Sequence, residues 1–270
     1  MTADVSSALA TDANHGMPDL FDLTGQIAVV TGARRGIGLA ISDALAAAGA
    51  DIVAVSAHIE PDGGEVAQRI RARGRDCSAL RTDLADRSAV ADLAARLAAW
   101  PRPIDILVNN AGTIARAPAA QHADADWDRV LQIDLTSQFV LARELGRAML
   151  ARGRGKIVFL ASLLSFQGGI NVPGYTAAKS GIAGLTRALA NEWAGGGVNV
   201  NAIVPGYVVT DNTAALRADP ARRTAILERI PAGRWAEPAD FAGVAVFLAS
   251  RASDYVHGAL IPVDGGWLGR

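Results

Sequence analysis

Cysteine and lysine are scarce in this chain of 270 residues, and the first scarcity excludes two kinds of cross-link. A single cysteine, Cys77, leaves no internal disulfide and no multi-cysteine zinc site, and it fits the reducing cytoplasm, where the protein is expected. The formal charge of −1 supplies no field to gather nucleic acid or an anionic membrane surface, so neither is an expected partner. No apolar run reaches the roughly 18 residues that a membrane-spanning helix needs. His15, His58, His122 and His257 are scattered without ligand spacing, and no metal is expected. The opening MTADVSSALATDANHGMPD carries no Lys or Arg, so a secretory leader is not expected, and residues 1–20 read as a mobile tail. Among 26 basic residues only Lys156 and Lys179 are lysines.

Apolar residues, by contrast, make up 50% of the chain and charged ones 20%, enough to bury a sizeable core. Short Val- and Ile-rich runs alternate with stretches whose apolar residues recur every three or four positions. Strands are expected at 27–30, 51–55, 78–80, 105–109, 156–161, 198–204 and 259–263. Helices are expected at about 36–48, 64–73, 87–99, 126–151, 174–194 and 238–250. The strands carry apolar residues at consecutive positions, as parallel strands covered on both faces do. The fold class is therefore α/β: over residues 21–270, a single domain built on one Rossmann-type doubly wound sheet of about seven parallel strands, with helices on both faces. Ligands of such a sheet bind beyond the carboxyl ends of the strands.

The first strand runs through Gly32, Arg34, Arg35, Gly36, Ile37 and Gly38 into a helix. Glycines there let backbone N–H groups approach a pyrophosphate at the helix N-terminus, although the same turn would also serve plain close packing. Their spacing is G-x-x-x-G-x-G rather than the commoner G-x-G-x-x-G. Where an acid would bind the ribose of NAD, at the end of strand two, the chain reads Ser56-Ala57-His58. Arg34 and Arg35 either meet the extra phosphate of NADP or stand solvated. Asn109, Asn110, Ala111 and Gly112 end strand four, where small and amide residues pack beside a flat cofactor or simply turn the chain. Asp83 accepts from an adenine amino group or caps the next helix. Ser162 ends strand five, and Tyr175 and Lys179, four residues apart, share one helix face. A lysine kept in a chain that otherwise writes arginine points to a need that the planar guanidinium does not meet.

Together TGARRGIG, NNAG and Ser162 with Tyr175-x-x-x-Lys179 resemble the short-chain dehydrogenase/reductase superfamily, classical type, over about residues 21–270. The resemblance implies a nicotinamide cofactor, NAD or NADP with NAD favoured, that carries the hydride. It implies that Tyr175 exchanges the proton, that Lys179 acidifies the phenol and holds the nicotinamide ribose, and that Ser162 orients the carbonyl. A free phenol titrates near ~10, so service as a base near neutrality needs about three units of depression, or ~4 kcal/mol, expected from Lys179 and the oxidised nicotinamide. In VLQIDLTSQF, Asp134 stands where the family usually has Asn; it either keeps the proton relay through its backbone or alters it through its carboxylate. The implied cofactor contacts are Gly32, Arg34, Arg35, Gly36, Ile37, Gly38, Ser56, Asp83, Leu84, Asn110, Ala111, Gly112, Tyr175, Lys179, Pro205, Gly206, Val208 and Thr210. A homotetramer, with the C-terminal strand and Trp267 in a subunit contact, is implied as well.

The C-terminal half, from Ser162-Leu-Leu-Ser-Phe-Gln-Gly-Gly to the terminal Val263-Asp-Gly-Gly-Trp, is similar to a sugar-acid branch of that superfamily, the 2-dehydro-3-deoxy-D-gluconate 5-dehydrogenases, also called 2-deoxy-D-gluconate 3-dehydrogenases. That resemblance implies a small anionic substrate. Arg116 is the first candidate for its carboxylate, then Arg234 and Arg217, with Gln167 and Asn212 for hydroxyls and Ser162 and Tyr175 at the reacting carbon. Residues 206–235 are the expected substrate lid, hinged at Pro205-Gly206 and Pro231-Ala-Gly233. Two other readings stand beside this one. The first is an NADPH-dependent 3-oxoacyl or sugar-alcohol reductase, for which Leu163-Leu164 would suit an acyl chain; the second is a dinucleotide sensor without catalysis.

Overall fold

In the computed structural model, which describes residues 17–270, seven parallel strands form one sheet. They are β1 (Ile27–Thr31), β2 (Asp51–Ser56), β3 (Cys77–Arg81), β4 (Ile106–Asn109), β5 (Gly155–Leu160), β6 (Val198–Pro205) and β7 (Leu260–Val263), in the order β3-β2-β1-β4-β5-β6-β7. The helices are α1 (Met17–Leu20), α2 (Gly36–Ala47), α3 (Gly64–Ala72), α4 (Arg87–Ala98), α5 (Asp124–Leu131), α6 (Ser137–Ala151), α7 (Pro173–Trp193), α8 (Ala214–Ala218), α9 (Pro220–Arg229) and α10 (Ala242–Ala249). The tail expected over 1–20 lies outside the described residues as far as residue 16, as does His15; its last four residues are α1.

Alternation along the strands divides the apolar residues between two cores. Val29, Val53, Leu107, Ile157 and Val200 face α4, α6 and α7 through Leu93, Leu141 and Ile182. Ala28, Ile52, Ile106, Val158 and Ile203 face α2, α3 and α10 through Ile41, Ile70 and Leu248. Each fully buried Leu, Ile or Val contributes about 1.5–3 kcal/mol, so both layers hold the sheet firmly. From β1 the chain winds outward to β2 and β3, and it then returns to β4 on the other side. Loops at the carboxyl ends of β1 and β4 therefore diverge and open a crevice.

Two departures from the sequence expectation bear on function. The helix expected over 126–151 is interrupted by a π-helical stretch, Gln132–Thr136, which contains Asp134. Beyond β6, the expected lid carries α8 and α9; Asp219 caps α9 by accepting from the N–H groups of Ala221 and Arg222, with Pro220 at the first helical position. The base of this excursion is tied: the Val209 N–H donates to the Ala236 carbonyl at 2.8 Å, and the Ala236 N–H to the Tyr207 carbonyl at 2.9 Å.

Candidate active site

The crevice is a cleft of about 610 Å³ lined from β1, β2, β4, β5, α7 and the segment after β6. Its floor is the glycine turn. Gly32 and Gly36 have φ of 68° and 56°, a left-handed conformation that glycine adopts without strain. A Cβ on Gly38 would overlap the Gly32 carbonyl oxygen and the Asn110 amide, so that position has no room for a side chain. The helix α2 begins at Gly36 with no side-chain cap on its first turn, which leaves the amides of Gly36, Ile37 and Gly38 facing the cleft, an arrangement that suits an anion. Thr31 joins this turn to the next one: its hydroxyl accepts from the N–H groups of Asn110 and Ala111, both at 3.0 Å. Asn110 completes the joint by donating its amide to the Thr31 carbonyl at 2.8 Å.

Tyr175 and Lys179 lie on the same face of α7, with the Lys179 ammonium 5.5 Å from the phenol ring centre. Ser162, on the loop after β5, hydrogen-bonds the phenol oxygen. The Lys179 ammonium is buried, 3% exposed, and donates to the Leu160 carbonyl at 2.8 Å. It also stands 3.4 Å from the carboxylate of Asp134, which is wholly buried. The other Asp134 oxygen accepts from the Thr113 N–H at 2.8 Å. Ser165 locks the trio: its hydroxyl donates to the Lys179 backbone carbonyl at 2.6 Å and accepts from the Ser162 N–H at 3.3 Å.

The electrostatics show what the protein's own groups contribute. Desolvation pushes the Tyr175 phenol above its ordinary pKa; Lys179 pulls it down, Asp134 pushes it up again, and Ser162 and Arg116 pull it down. In the protein alone burial therefore outweighs the ammonium; the expected acidification drew on the oxidised nicotinamide as well as on Lys179. Burial likewise pushes the Asp134 carboxyl up, against the pull of Lys179 and the Thr113 N–H.

All eighteen residues expected to touch the cofactor line the cleft, as do Ser162, Asp134 and Asn212. Asp83 is not the helix cap, since Asp86 accepts from Ser88 and Ala89 at the start of α4; Asp83 accepts from the Ala85 N–H and faces the cleft. Arg116 is not among the residues lining the cleft; its charge acts weakly on Tyr175, and it donates to the carbonyl of Asn212, which does line the cleft, at 3.1 Å. Arg234 stands elsewhere: both of its terminal nitrogens bind the Asp240 carboxylate, at 2.6 and 2.8 Å, beside a separate pocket of about 180 Å³. Gln167 is not among the residues lining the cleft and accepts from the Trp267 indole at 3.2 Å. Arg217 donates to the Thr210 carbonyl at 3.1 Å. Trp267 is 4% exposed and packed within its own chain against Tyr207 and Arg229, which leaves almost no surface for the subunit contact expected of it.

Several contributors escaped the sequence reading. His58, Thr113, Arg129 and Asp211 also line the cleft, and Thr31 and Ser165 hold it together from behind. Asp211 pairs with Arg35 as Glu60, 3.4 Å from the Arg34 guanidinium, pairs with Arg34, and its only sequence signal is that it adjoins Asn212; Ser165 carried no signal beyond its place three residues after Ser162.

A family model described as enoyl-(acyl carrier protein) reductase matches residues 32–268. The chain is a short-chain dehydrogenase/reductase. This short-chain dehydrogenase/reductase is 56% identical over 254 residues to a 2-dehydro-3-deoxy-D-gluconate 5-dehydrogenase from Pseudoalteromonas atlantica, covering 94% of this chain and 100% of the relative. It is 52% identical over 252 residues to the enzyme of the same name from Bacillus subtilis, covering 93% and 98%. Among solved structures, one from Beutenbergia cavernae, described as an NAD(P)-dependent gluconate 5-dehydrogenase with NADP bound at low occupancy, superposes with a TM-score of 0.89 at 55% identity, covering 93% and 100%. Membership makes the protein an oxidoreductase that acts on CH–OH groups with a nicotinamide dinucleotide.

Proposed function

We propose that the protein interconverts the 5-hydroxyl and 5-keto forms of 2-keto-3-deoxygluconate, as a 2-dehydro-3-deoxy-D-gluconate 5-dehydrogenase using NAD or NADP. The carrying observation is the convergence of Ser162, Tyr175 and Lys179 in one cleft, with Arg116 bonded to Asn212 of the same lining. Similarity of 56% along the whole of a relative bearing that activity supports the substrate. The acyl-reductase reading is less favoured, because Leu163 is packed into the core and the half-buried Leu164 is not among the residues lining the cleft. Its family namesake and the sugar acid separate in one assay: initial rates with 2-keto-3-deoxygluconate, several hexonates and an acyl thioester, each with both nucleotides. Turnover of the thioester alone would overturn the proposal.

The residues present fit a dinucleotide. The uncapped start of α2 and the side-chain-free position at Gly38 suit the pyrophosphate, and Asn110, Ala111 and Gly112 suit the flat ring. Ser56 at the end of β2 places no carboxylate against a ribose phosphate, and Arg34 and Arg35 lie at that end of the cleft. When bound, the nicotinamide takes or supplies the hydride. The protein does the rest. Ser162 orients the reacting oxygen, Tyr175 takes the hydroxyl proton during oxidation and returns it during reduction, and Lys179 secures the ribose and the charge on the phenolate. Arg116 is the carboxylate anchor, its planar fork matching the acid. Asp134 lies behind Lys179.

In this reading residues 21–270 act as one catalytic domain, and residues 206–235 form a lid that excludes water while hydride moves. The tied base at Val209 and Ala236 supports pivoting of α8 and α9 as a unit. The reading places the enzyme in the cytoplasm, with the nucleotide pool, as a homotetramer. Rings of Trp127 and Phe139, each 37% exposed on α5 and α6, support self-association. Light scattering should return about four times the chain mass.

A further inference from the structure

A buried carboxyl group sits against the buried cation that serves the phenol. Asp134 is 0% exposed, one of its oxygens accepts from the Thr113 N–H at 2.8 Å, and the other has no hydrogen-bond partner but lies 3.4 Å from the Lys179 ammonium. The π-helical stretch presents this carboxylate, and Gly112 makes space for it, since a Cβ there would come within 2.9 Å of the unpartnered oxygen. We propose that Asp134 sets the pH range in which this enzyme oxidises its substrate, by offsetting the Lys179 charge that would otherwise act on Tyr175. The proposal rests on the proton-exchange role given to Tyr175 above.

The charges around the phenol come from each neighbouring element. Lys179 faces it from α7, Asp134 from the π-helical stretch, and Arg116 from the loop after β4; the loop after β5 brings only the neutral Ser162. β5 also brings the Leu160 carbonyl, which takes a proton of the ammonium without adding net charge. Arg116 is exposed and half-screened by solvent, so the enclosed balance is Lys179 against Asp134. An amide at position 134 would fill the same volume and carry no charge. The ammonium would then act on the phenol unopposed, and Tyr175 would ionise at lower pH. The carboxylate thus keeps the phenol protonated over more of the neutral range, which is the form that donates a proton to a ketone. The overall equilibrium is untouched; what moves is the pH at which each direction runs fastest.

The chain has only three tyrosines, so Tyr207→Phe with Tyr255→Phe leaves Tyr175 as the sole titrating phenol. In that background the tyrosinate absorbance of the protein is titrated with and without Asp134→Asn. The midpoint is expected to fall by about one pH unit in the Asn variant. The rising limb of kcat/KM for alcohol oxidation should move down with it, making the variant about tenfold faster at a pH on that limb while its plateau stays within about tenfold. If the Asn variant does not fold, Asp134→Ser removes the same charge with less bulk and carries the same expectation. A midpoint that stays in place or rises overturns the inference. Full turnover by Tyr175→Phe would instead overturn the proton-exchange reading beneath it, so the two failures are distinguishable.

Discussion

Arg35, in the glycine turn, and Asp211, at the start of the segment beyond β6, form an ion pair across the mouth of the cleft. The carbonyl of the next residue, Asn212, accepts from Arg116, on the loop after β4. Two arginines that the proposed function assigns to ligands thus hold adjacent residues of the proposed lid.

Asp211 competes with any cofactor phosphate for Arg35. Both side chains are well exposed, so the pair is worth no more than ~1 kcal/mol. Asp211→Asn is expected to tighten NADP binding by up to about fivefold, with the gain fading at high salt. Quenching of tryptophan fluorescence during NADP titration measures it; weaker binding would contradict the competition.

Arg116→Ala should raise KM for the sugar acid by about 10–100-fold, the scale of a charge-assisted hydrogen bond, while a neutral sugar alcohol of the same size changes little. Equal responses from both substrates would remove Arg116 as the carboxylate anchor. The change should also loosen Asn212, which limited proteolysis within 206–235 would register.

At Gly38 the obstacle is backbone. A methyl group there meets the Gly32 carbonyl, which cannot swing aside as a side-chain end can. Gly38→Ala is expected to cost about 1–3 kcal/mol of stability, lowering Tm by about 3–10 °C, and to abolish measurable dinucleotide binding. Calorimetry with and without nucleotide checks both parts.

Ser165 supports the site without facing the substrate. Losing its bond to the Lys179 carbonyl should cost ~1 kcal/mol, and Ser165→Ala is expected to lower kcat about fivefold with KM nearly unchanged. Ser180→Ala is the control, since the Ser180 hydroxyl holds the same turn through the Leu164 carbonyl but touches neither Ser162 nor Lys179. A KM effect of equal size would make Ser165 a binding residue instead.

Much of this arrangement was legible because the strands are doubly covered. Continuous runs such as Ile27–Val30 and Ile106–Val108 have no other stable place, and the glycine turn, Asn110 and the Tyr175–Lys179 pair sit at fixed offsets from their ends. Apolar periodicity persists through Gln132–Thr136, so nothing there announced a widened turn. α9 did announce itself, through Asp219-Pro220, but its polar sequence gave no core-facing stripe to follow. Arg234 misled because a long cation on a loop looks free until its partner is known, and Asp240 lies beyond a proline-led turn. The direction of the Tyr175 shift was illegible for a related reason: it depends on how much protein surrounds the phenol.

The π-helical stretch has a consequence for insertion and deletion. A five-residue closure stores one amino acid more than an ordinary α-helical turn would. Excising a single residue between Gln132 and Thr136 would let the turn anneal into regular α-helix and keep Ser137–Ala151 in phase with the core, yet it would rotate position 134 out of register with the lysine. Such a shortened chain would fold with its hydrophobic layers intact while its proton-handling corner was rewired, a route by which length variation alone could retune chemistry.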